Sequence, residues 1–192
     1  MSAAESVQKD GMDGVDLAKR WLESTTWVEL PFDAYNNGPV CSLRRLDGKV
    51  KRYDLFGYIH TEPPTLVYVE VKNYDSVGGK QGAEYWKFLA NAYSIAAQDI
   101  KDGEDARREF MWITRHPFQQ TQWATLTAPE RIKTALGQHP EVLNGDPINA
   151  DMLATVSARL WLLVLHKRQE ELMLTAEELS LVESKLNRKG KK

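Results

Sequence analysis

The segment Leu66–Lys72 constrains the fold most, because a nearly continuous apolar run ends there in charged residues. The run is rich in β-branched and aromatic residues and follows Pro63-Pro64, which is typical of a central strand covered on both faces. Strand alternation places Glu70 and Lys72 on one face of such a strand. A carboxylate and an ammonium lose hydration when they are buried, so another interaction must offset that cost. The segment therefore predicts a charged site at the end of a buried strand.

The preceding predicted strand, Tyr53–Ile59, brings a second carboxylate to the same place. Asp54 stands at its head, one hairpin upstream of Glu70. An acidic-x-lysine triplet alone carries little weight, since a chain of 192 residues is expected to contain one by chance. Beside a buried strand, however, Asp54 and Glu70 together with Lys72 form a site suited to a hard divalent cation and an activated water.

The segment Tyr53-Asp54-Leu55, followed after a two-proline hairpin by Tyr68–Lys72, resembles the strand pattern of the PD-(D/E)xK nuclease superfamily. There, an aspartate on one strand and an acidic-x-lysine triplet on the next bind Mg²⁺ and hydrolyse phosphodiesters. Tyr53 replaces the proline of the family name. The resemblance implies a restriction-endonuclease-like fold.

The same resemblance assigns roles to the residues of the site. Asp54 and Glu70 are expected to bind Mg²⁺ or Mn²⁺, with the Val71 carbonyl as a further ligand. Lys72 is expected to orient or deprotonate the attacking water and to offset charge on the pentacovalent phosphate.

The predicted amphipathic helix Gly14–Leu22 adds a candidate third carboxylate. Asp16 stands where the resolvase-like branch of the superfamily carries an acidic residue after a glycine. Because its side chain is shorter than that of glutamate, the resemblance implies that Asp16 acts through a metal-bound water or a second ion. The alternative is a solvated acid in the first turn of a helix, which the helix dipole favours.

Downstream of the lysine, the segment Gln81–Tyr85 has a Gln-x-x-x-Tyr signature. It is similar to the one in nuclease domains of bacterial recombination helicase-nucleases and phage exonucleases, which implies that Gln81 and Tyr85 position the scissile strand. Their spacing stacks the two side chains on one helix face. The alternatives are ordinary helix surface for both residues, or burial in the core.

Composition is that of an ordinary globular domain, with 42% hydrophobic and 27% charged residues. No apolar run approaches the roughly 20 residues of a membrane span, and residues 1–10 are polar without the apolar centre of a signal peptide. Cys41 is the one cysteine of the chain, which excludes an internal disulfide and a four-cysteine iron–sulfur cluster. We therefore expect a cytoplasmic protein with no membrane partner.

The formal net charge of −2 provides no overall basic signature for nucleic-acid binding. Basic residues are nevertheless concentrated in the tail 186–192, which could bind phosphates. A frayed, solvated terminus is the alternative explanation of this tail.

The remaining pattern predicts one domain, 1–192, with an α/β architecture. Further strands are predicted at Trp27–Phe32, Val40–Leu46, Phe110–Thr114 and Leu160–His166. Further helices are predicted from about Lys80 to Gln98, from a capping box at Thr127 to Gly137, at Asn149–Arg159, and after a second capping box at Thr175. Strands flanked by helices on both sides imply a three-layer sandwich with a central mixed β-sheet.

Three functions remain open at this level. The first is a Mg²⁺- or Mn²⁺-dependent nuclease that acts on DNA, a substrate chosen by resemblance alone. The second is a catalytically silent nuclease-fold module for DNA binding or assembly, as a homodimer or within a larger DNA-processing or defence complex. The third is a structural α/β protein whose charged strand end is an ion pair.

Overall fold

The computed structural model describes the backbone of residues 3–74 and 80–186, and their side chains from residue 11 onward. Within these ranges, the main β-sheet has five strands in the order β1-β4-β5-β6-β7, and β2 and β3 form a separate hairpin. The strands are β1 (Val28–Asp33), β2 (Ser42–Arg44), β3 (Val50–Arg52), β4 (Leu55–Ile59), β5 (Thr65–Lys72), β6 (Glu109–Thr114) and β7 (Leu160–Val164). The central strand β5 is antiparallel to β4 and parallel to β6. The sheet is therefore mixed, as predicted.

Helices lie on both sides of this sheet. They are α1 (Ala3–Ser24), α2 (Gln81–Lys101), α3 (Pro129–Gln138), α4 (Ala150–Ser157) and α5 (Ala176–Leu186), with short 3₁₀ helices at Gln120–Thr125, Pro140–Leu143 and Lys167–Leu172. Among the described residues, no helix has both the length and the apolar character that a membrane span requires.

The two faces of β5 belong to different cores among the described residues. Val67 and Val69 pack with α1 residues such as Ala18. Tyr68, on the opposite face, packs with residues of α2 such as Phe88. Because successive strand residues point to opposite faces, the apolar run buries side chains on both sides. The three-layer α/β sandwich predicted from the sequence is confirmed.

Some predicted boundaries differ from the structure. The strand expected at Val40–Leu46 is confined to β2, in the separate hairpin. Asp54 lies just before β4 rather than inside it. The helix α1 begins at Ala3, so it includes most of the polar residues 1–10. The basic tail lies outside the described residues from 187 onward.

The two predicted capping boxes have opposite outcomes. At the last helix, Thr175 Oγ1 accepts a hydrogen bond from Glu178 N, and Glu178 Oε2 accepts one from Thr175 N, so the prediction is confirmed. At α3 the prediction of a Thr127 cap is wrong, because Ala128 is the N-cap residue and makes no side-chain capping bond. Pro129 shifts the start by one residue, since its fixed φ and missing N–H suit the first helical position.

Candidate active site

Glu70 and Lys72 form an ion pair at the carboxyl end of β5. Glu70 is 8% exposed, and its Oε1 lies 3.0 Å from Lys72 Nζ. The Lys72 ammonium also lies 3.0 Å from Glu84 Oε2 and 5.5 Å from the centre of the Trp112 ring. The charged pair is therefore largely removed from water and packed against α2 and β6.

Asp54 reaches the same strand from the connection before β4. Its Oδ2 accepts a hydrogen bond of 2.7 Å from Val71 N, and its own N–H donates to Val69 O at 3.0 Å. The pairing of β4 with β5 ends at Val69, and the Asp54 carboxylate accepts the hydrogen bond of the Val71 N–H beyond that point. The predicted meeting of Asp54 with the end of β5 is observed.

Burial and the negative charge of Glu70 raise the pKa of Asp54 to about 6, although the Val71 hydrogen bond and the charges of Lys72 and Lys51 oppose the shift. Ionisation of Asp54 therefore costs free energy in the folded protein. A bound cation would remove that cost, because an opposite charge favours the ionised form.

The pKa of Lys72 indicates how its amine can act. Burial lowers this pKa, but the charges and hydrogen bonds of Glu70 and Glu84 more than compensate, so the net pKa lies above the ordinary lysine value. Lys72 is therefore an ammonium at neutral pH. It can donate hydrogen bonds and stabilise negative charge.

Lys51 is a site residue that the sequence reasoning missed. Its Nζ lies 2.6 Å from Glu70 Oε2 and 5.0 Å from the centre of the Tyr53 ring. On β3 its neighbours Val50 and Arg52 are exposed, while Lys51 is half-buried. The alternation of side chains along this short strand is the sequence signal that could have indicated an inward-facing Lys51. However, a strand of three residues, two of them basic, is more typical of an exposed surface strand.

The hairpin that carries Lys51 is fixed to α2. Arg45 Nη1 donates a hydrogen bond of 2.7 Å to Asn91 Oδ1, and Leu46 N donates one of 3.0 Å to Ser94 Oγ. Arg45 is also paired with Asp47 at 2.6 Å. These buried contacts hold the hairpin over the α2 side of the site.

The helix α1 approaches the residue after β5 closely at Gly14, two residues before Asp16. A Cβ atom at Gly14 would lie 2.5 Å from Asn73 Cβ, so this contact requires glycine. Asp16 is exposed. The charges of both Asp54 and Asp16 act on Tyr35, since together with burial they raise the pKa of its hydroxyl. Among the described residues, however, no group of three His, Cys, Asp or Glu side chains is arranged to hold a metal ion. A role for Asp16 through a metal-bound water stays a prediction, as does the Val71 carbonyl ligand.

Gln81 and Tyr85 are both 1% exposed. The Tyr85 hydroxyl donates to Leu126 O at 3.1 Å, on the core side of α2. This geometry favours the core alternative for Tyr85. On the same helix, Glu84 is the neighbour that reaches Lys72.

Gln81 lies beside the end of β6. Its Nε2 donates to Thr114 Oγ1 and to His116 O, and Thr114 is the strand partner of Lys72. Its Oε1 is buried without a hydrogen-bond partner among the described residues. Gln81 is thus adjacent to the site but turned toward the sheet, and its predicted contact with DNA is not tested by this geometry.

A cleft of about 600 Å³ opens at the ends of the parallel strands, next to Asp16. It is lined by Asp13, Gly14, Asp16, Leu17, Arg20, Asn73, Arg115, Lys167 and Glu170. Arg20 pairs with Glu170 at 2.5 Å, and Arg115 donates to Asn73 Oδ1 at 3.0 Å. The cleft is therefore lined by carboxylates, those of Asp13 and Asp16 among them, and by cations such as Arg115 and Lys167.

No protein-family model, curated protein sequence or solved structure matches this chain.

Proposed function

We propose that the protein is a Mg²⁺- or Mn²⁺-dependent deoxyribonuclease of the PD-(D/E)xK type. The observation that carries the proposal is the convergence of Asp54 and Glu70 at the end of β5, with the Lys72 ammonium 3.0 Å from Glu70. Two carboxylates and a fixed ammonium are the groups that hydrolysis of a phosphodiester requires.

The oxygen donors fit a small divalent cation. Mg²⁺ commonly binds through one or two carboxylates and keeps several waters, so Asp54 and Glu70 suffice without a third protein ligand. The raised pKa of Asp54 supports this assignment, since burial and the charge of Glu70 disfavour the ionised carboxylate and a bound cation would favour it. A bound cation would supply Lewis acidity and a water of lowered pKa.

Contacts within the protein position the carboxylate of Asp54 and the ammonium of Lys72. Asp54 is held in place by Val71 N–H, and Glu84 holds the Lys72 ammonium from the side of α2. The raised pKa of Lys72 in the metal-free protein supports a role in orienting the attacking water and stabilising charge on the phosphate.

The strand-end cleft holds both cations and carboxylates that a nucleic acid would meet. Arg115 and Lys167 are cations of this cleft that would contact the phosphates, whereas the carboxylates of Asp13 and Asp16 would repel them. The choice of DNA over RNA rests on the family resemblance.

Cleavage assays on purified protein test this proposal directly. Linear, circular and single-stranded DNA are incubated with Mn²⁺, and the Asp54→Asn variant serves as the matched control. Cutting of the circular substrate identifies an endonuclease, and cutting of linear ends alone identifies an exonuclease. Equal cleavage by wild type and Asp54→Asn would rule the site out.

A silent nuclease-fold module is the second candidate. Lysine contacts on both Glu70 oxygens favour it, because Lys51 and Lys72 already neutralise that carboxylate. Such a module, alone, as a homodimer or within a larger complex, would bind DNA and leave it intact in both Mg²⁺ and Mn²⁺.

A further inference from the structure

Lys51 contacts the proposed metal ligand Glu70 from outside the main sheet. We propose that the Lys51 ammonium and a divalent cation compete for Glu70 Oε2, so that metal binding displaces Lys51. This inference rests on the proposed function, because it assigns the cation to the same carboxylate.

The contacts of Glu70 place an ammonium beside each of its two oxygens. Its Oε2 lies 2.6 Å from Lys51 Nζ, and its Oε1 lies 3.0 Å from Lys72 Nζ. Each oxygen thus already has an ammonium partner. A cation that coordinates Glu70 therefore meets an ammonium at whichever oxygen it approaches.

The surroundings of the two lysines indicate which one leaves. Lys72 is held by a second carboxylate, since Glu84 Oε2 lies 3.0 Å from its Nζ. Lys51 has Glu70 as its anionic partner and otherwise lies over the Tyr53 ring. Movement of Lys51 away from the site therefore breaks one ion pair. Movement of Lys72 away from the site would break two, those with Glu70 and Glu84.

The site has room for this movement. A cavity of about 280 Å³ adjoins Glu70 and is lined by Lys51, Glu70, Lys72, Glu84, Lys87, Phe88 and Asn91. The backbone of the hairpin is fixed by the contacts of Arg45 and Leu46 with α2. Rotation of the Lys51 side chain into the cavity is therefore sufficient, and no strand has to move.

Mn²⁺ titration by calorimetry, without DNA, tests the competition. Lys51→Met keeps the apolar stem over Tyr53 and removes the ammonium, so it should bind Mn²⁺ about 10- to 100-fold more tightly than wild type. Lys87→Met is the matched control, because Lys87 lines the same cavity and is exposed. Its affinity should differ from wild type by about threefold or less, which measures the general effect of removing one charge.

Melting temperatures establish that each variant is folded, and Lys51→Gln replaces Lys51→Met if the latter is not. A wild-type affinity in the folded Lys51 variant, or one no tighter than that of Lys87→Met, overturns the competition. Weaker binding overturns it too, and makes Lys51 a residue that positions Glu70 for the metal.

The outcomes separate this inference from the proposed function. Tighter Mn²⁺ binding by Lys51→Met, with no DNA cleavage by either protein, supports the competition and overturns the nuclease. Unchanged Mn²⁺ affinity together with DNA cleavage by wild type overturns the competition and supports the nuclease. Absence of Mn²⁺ binding in wild type and variant alike overturns both.

Discussion

Glu84 Oε2 lies 3.0 Å from Lys72 Nζ, so α2 supplies a carboxylate that fixes the ammonium at the end of β5. The hydroxyl of Tyr74 also bonds Glu84, and these bonds together lower the pKa of the Glu84 carboxyl despite the opposing effect of burial. Glu84 is therefore ionised at neutral pH, and in the proposed nuclease it acts as a positioning residue for Lys72.

Glu84→Gln should slow single-turnover DNA cleavage about tenfold, which corresponds to about 1.4 kcal/mol of transition-state stabilisation. The cause is a less well fixed Lys72 ammonium, so Mn²⁺ affinity should stay within about twofold of wild type. Glu130→Gln, at an exposed glutamate of α3, is the control and should cut normally. A large loss of Mn²⁺ affinity in Glu84→Gln would instead make Glu84 a metal ligand.

Asp54→Asn should stabilise the metal-free protein at neutral pH. In the folded protein the pKa of Asp54 is about 6, above the ordinary value of 3.8. Wild type therefore loses stability as the pH rises from 3.8 to about 6, because Asp54 ionises more readily in the unfolded chain. The shift of about two units corresponds to roughly 2–3 kcal/mol. The variant should therefore melt several degrees higher than wild type at pH 7.5 and at a similar temperature at pH 4, since asparagine can still accept the Val71 N–H bond.

Glu70→Gln is the matched comparison and should lower the melting temperature at pH 7.5. Its carboxylate is paired with Lys51 and Lys72, and removal of one partner leaves buried charge unpaired. Thermal melts of both variants with and without Mg²⁺ provide the measurement. A destabilised Asp54→Asn at pH 7.5 would show that Asp54 contributes to stability as an anion.

Lys72→Ala should still bind Mn²⁺ and lose most of its cleavage rate. Removal of one preorganised charge at a phosphoryl transition state costs on the order of 3–4 kcal/mol, or about a hundred- to a thousandfold in rate. Because Lys72 is protonated throughout the neutral range, the pH–rate profile of wild type should show no limb from a lysine base. Unchanged turnover in Lys72→Ala would assign this residue to structure.

The sequence predicted the centre of the site because local pattern determines it. The largely apolar segment Leu66–Lys72 can satisfy its backbone and bury both faces as a central strand. The connection into the next strand upstream brings Asp54 to the same end. These placements depend on strand alternation and on one hairpin, and both can be read from neighbouring residues.

The residues that surround this centre depend on long-range packing and were not predictable in the same way. Lys51 reaches Glu70 because a short hairpin docks on α2 through Arg45 and Leu46, and no periodicity signals that contact. On α2, the spacing of Gln81 and Tyr85 predicted a shared face but not its direction. Burial turned Tyr85 into the core, and Glu84 took the position beside Lys72.

Gln81 and Tyr85 can be separated by paired substitutions. Tyr85→Phe removes the bond to Leu126 O and should cost about 1 kcal/mol of stability without changing DNA affinity. If Gln81 positions the scissile strand, as the family resemblance implies, Gln81→Ala should weaken DNA binding and slow cleavage at unchanged Mn²⁺ affinity. Melting temperature, Mn²⁺ affinity and single-turnover rate are measured for both. Wild-type cleavage by Gln81→Ala would contradict the exonuclease-type signature and favour a resolvase- or restriction-like endonuclease.

The central claim is that Asp54 and Glu70 form the metal site of a nuclease. Its most direct test is single-turnover cleavage of labelled DNA in Mn²⁺ by wild type, Asp54→Asn and Glu70→Gln, with the fold of each variant checked by its melting transition. We predict cleavage by wild type and a loss of at least a thousandfold in both folded variants. Cleavage by Asp54→Asn at a rate within tenfold of wild type would contradict the account, as would wild-type protein that binds DNA and leaves it uncut.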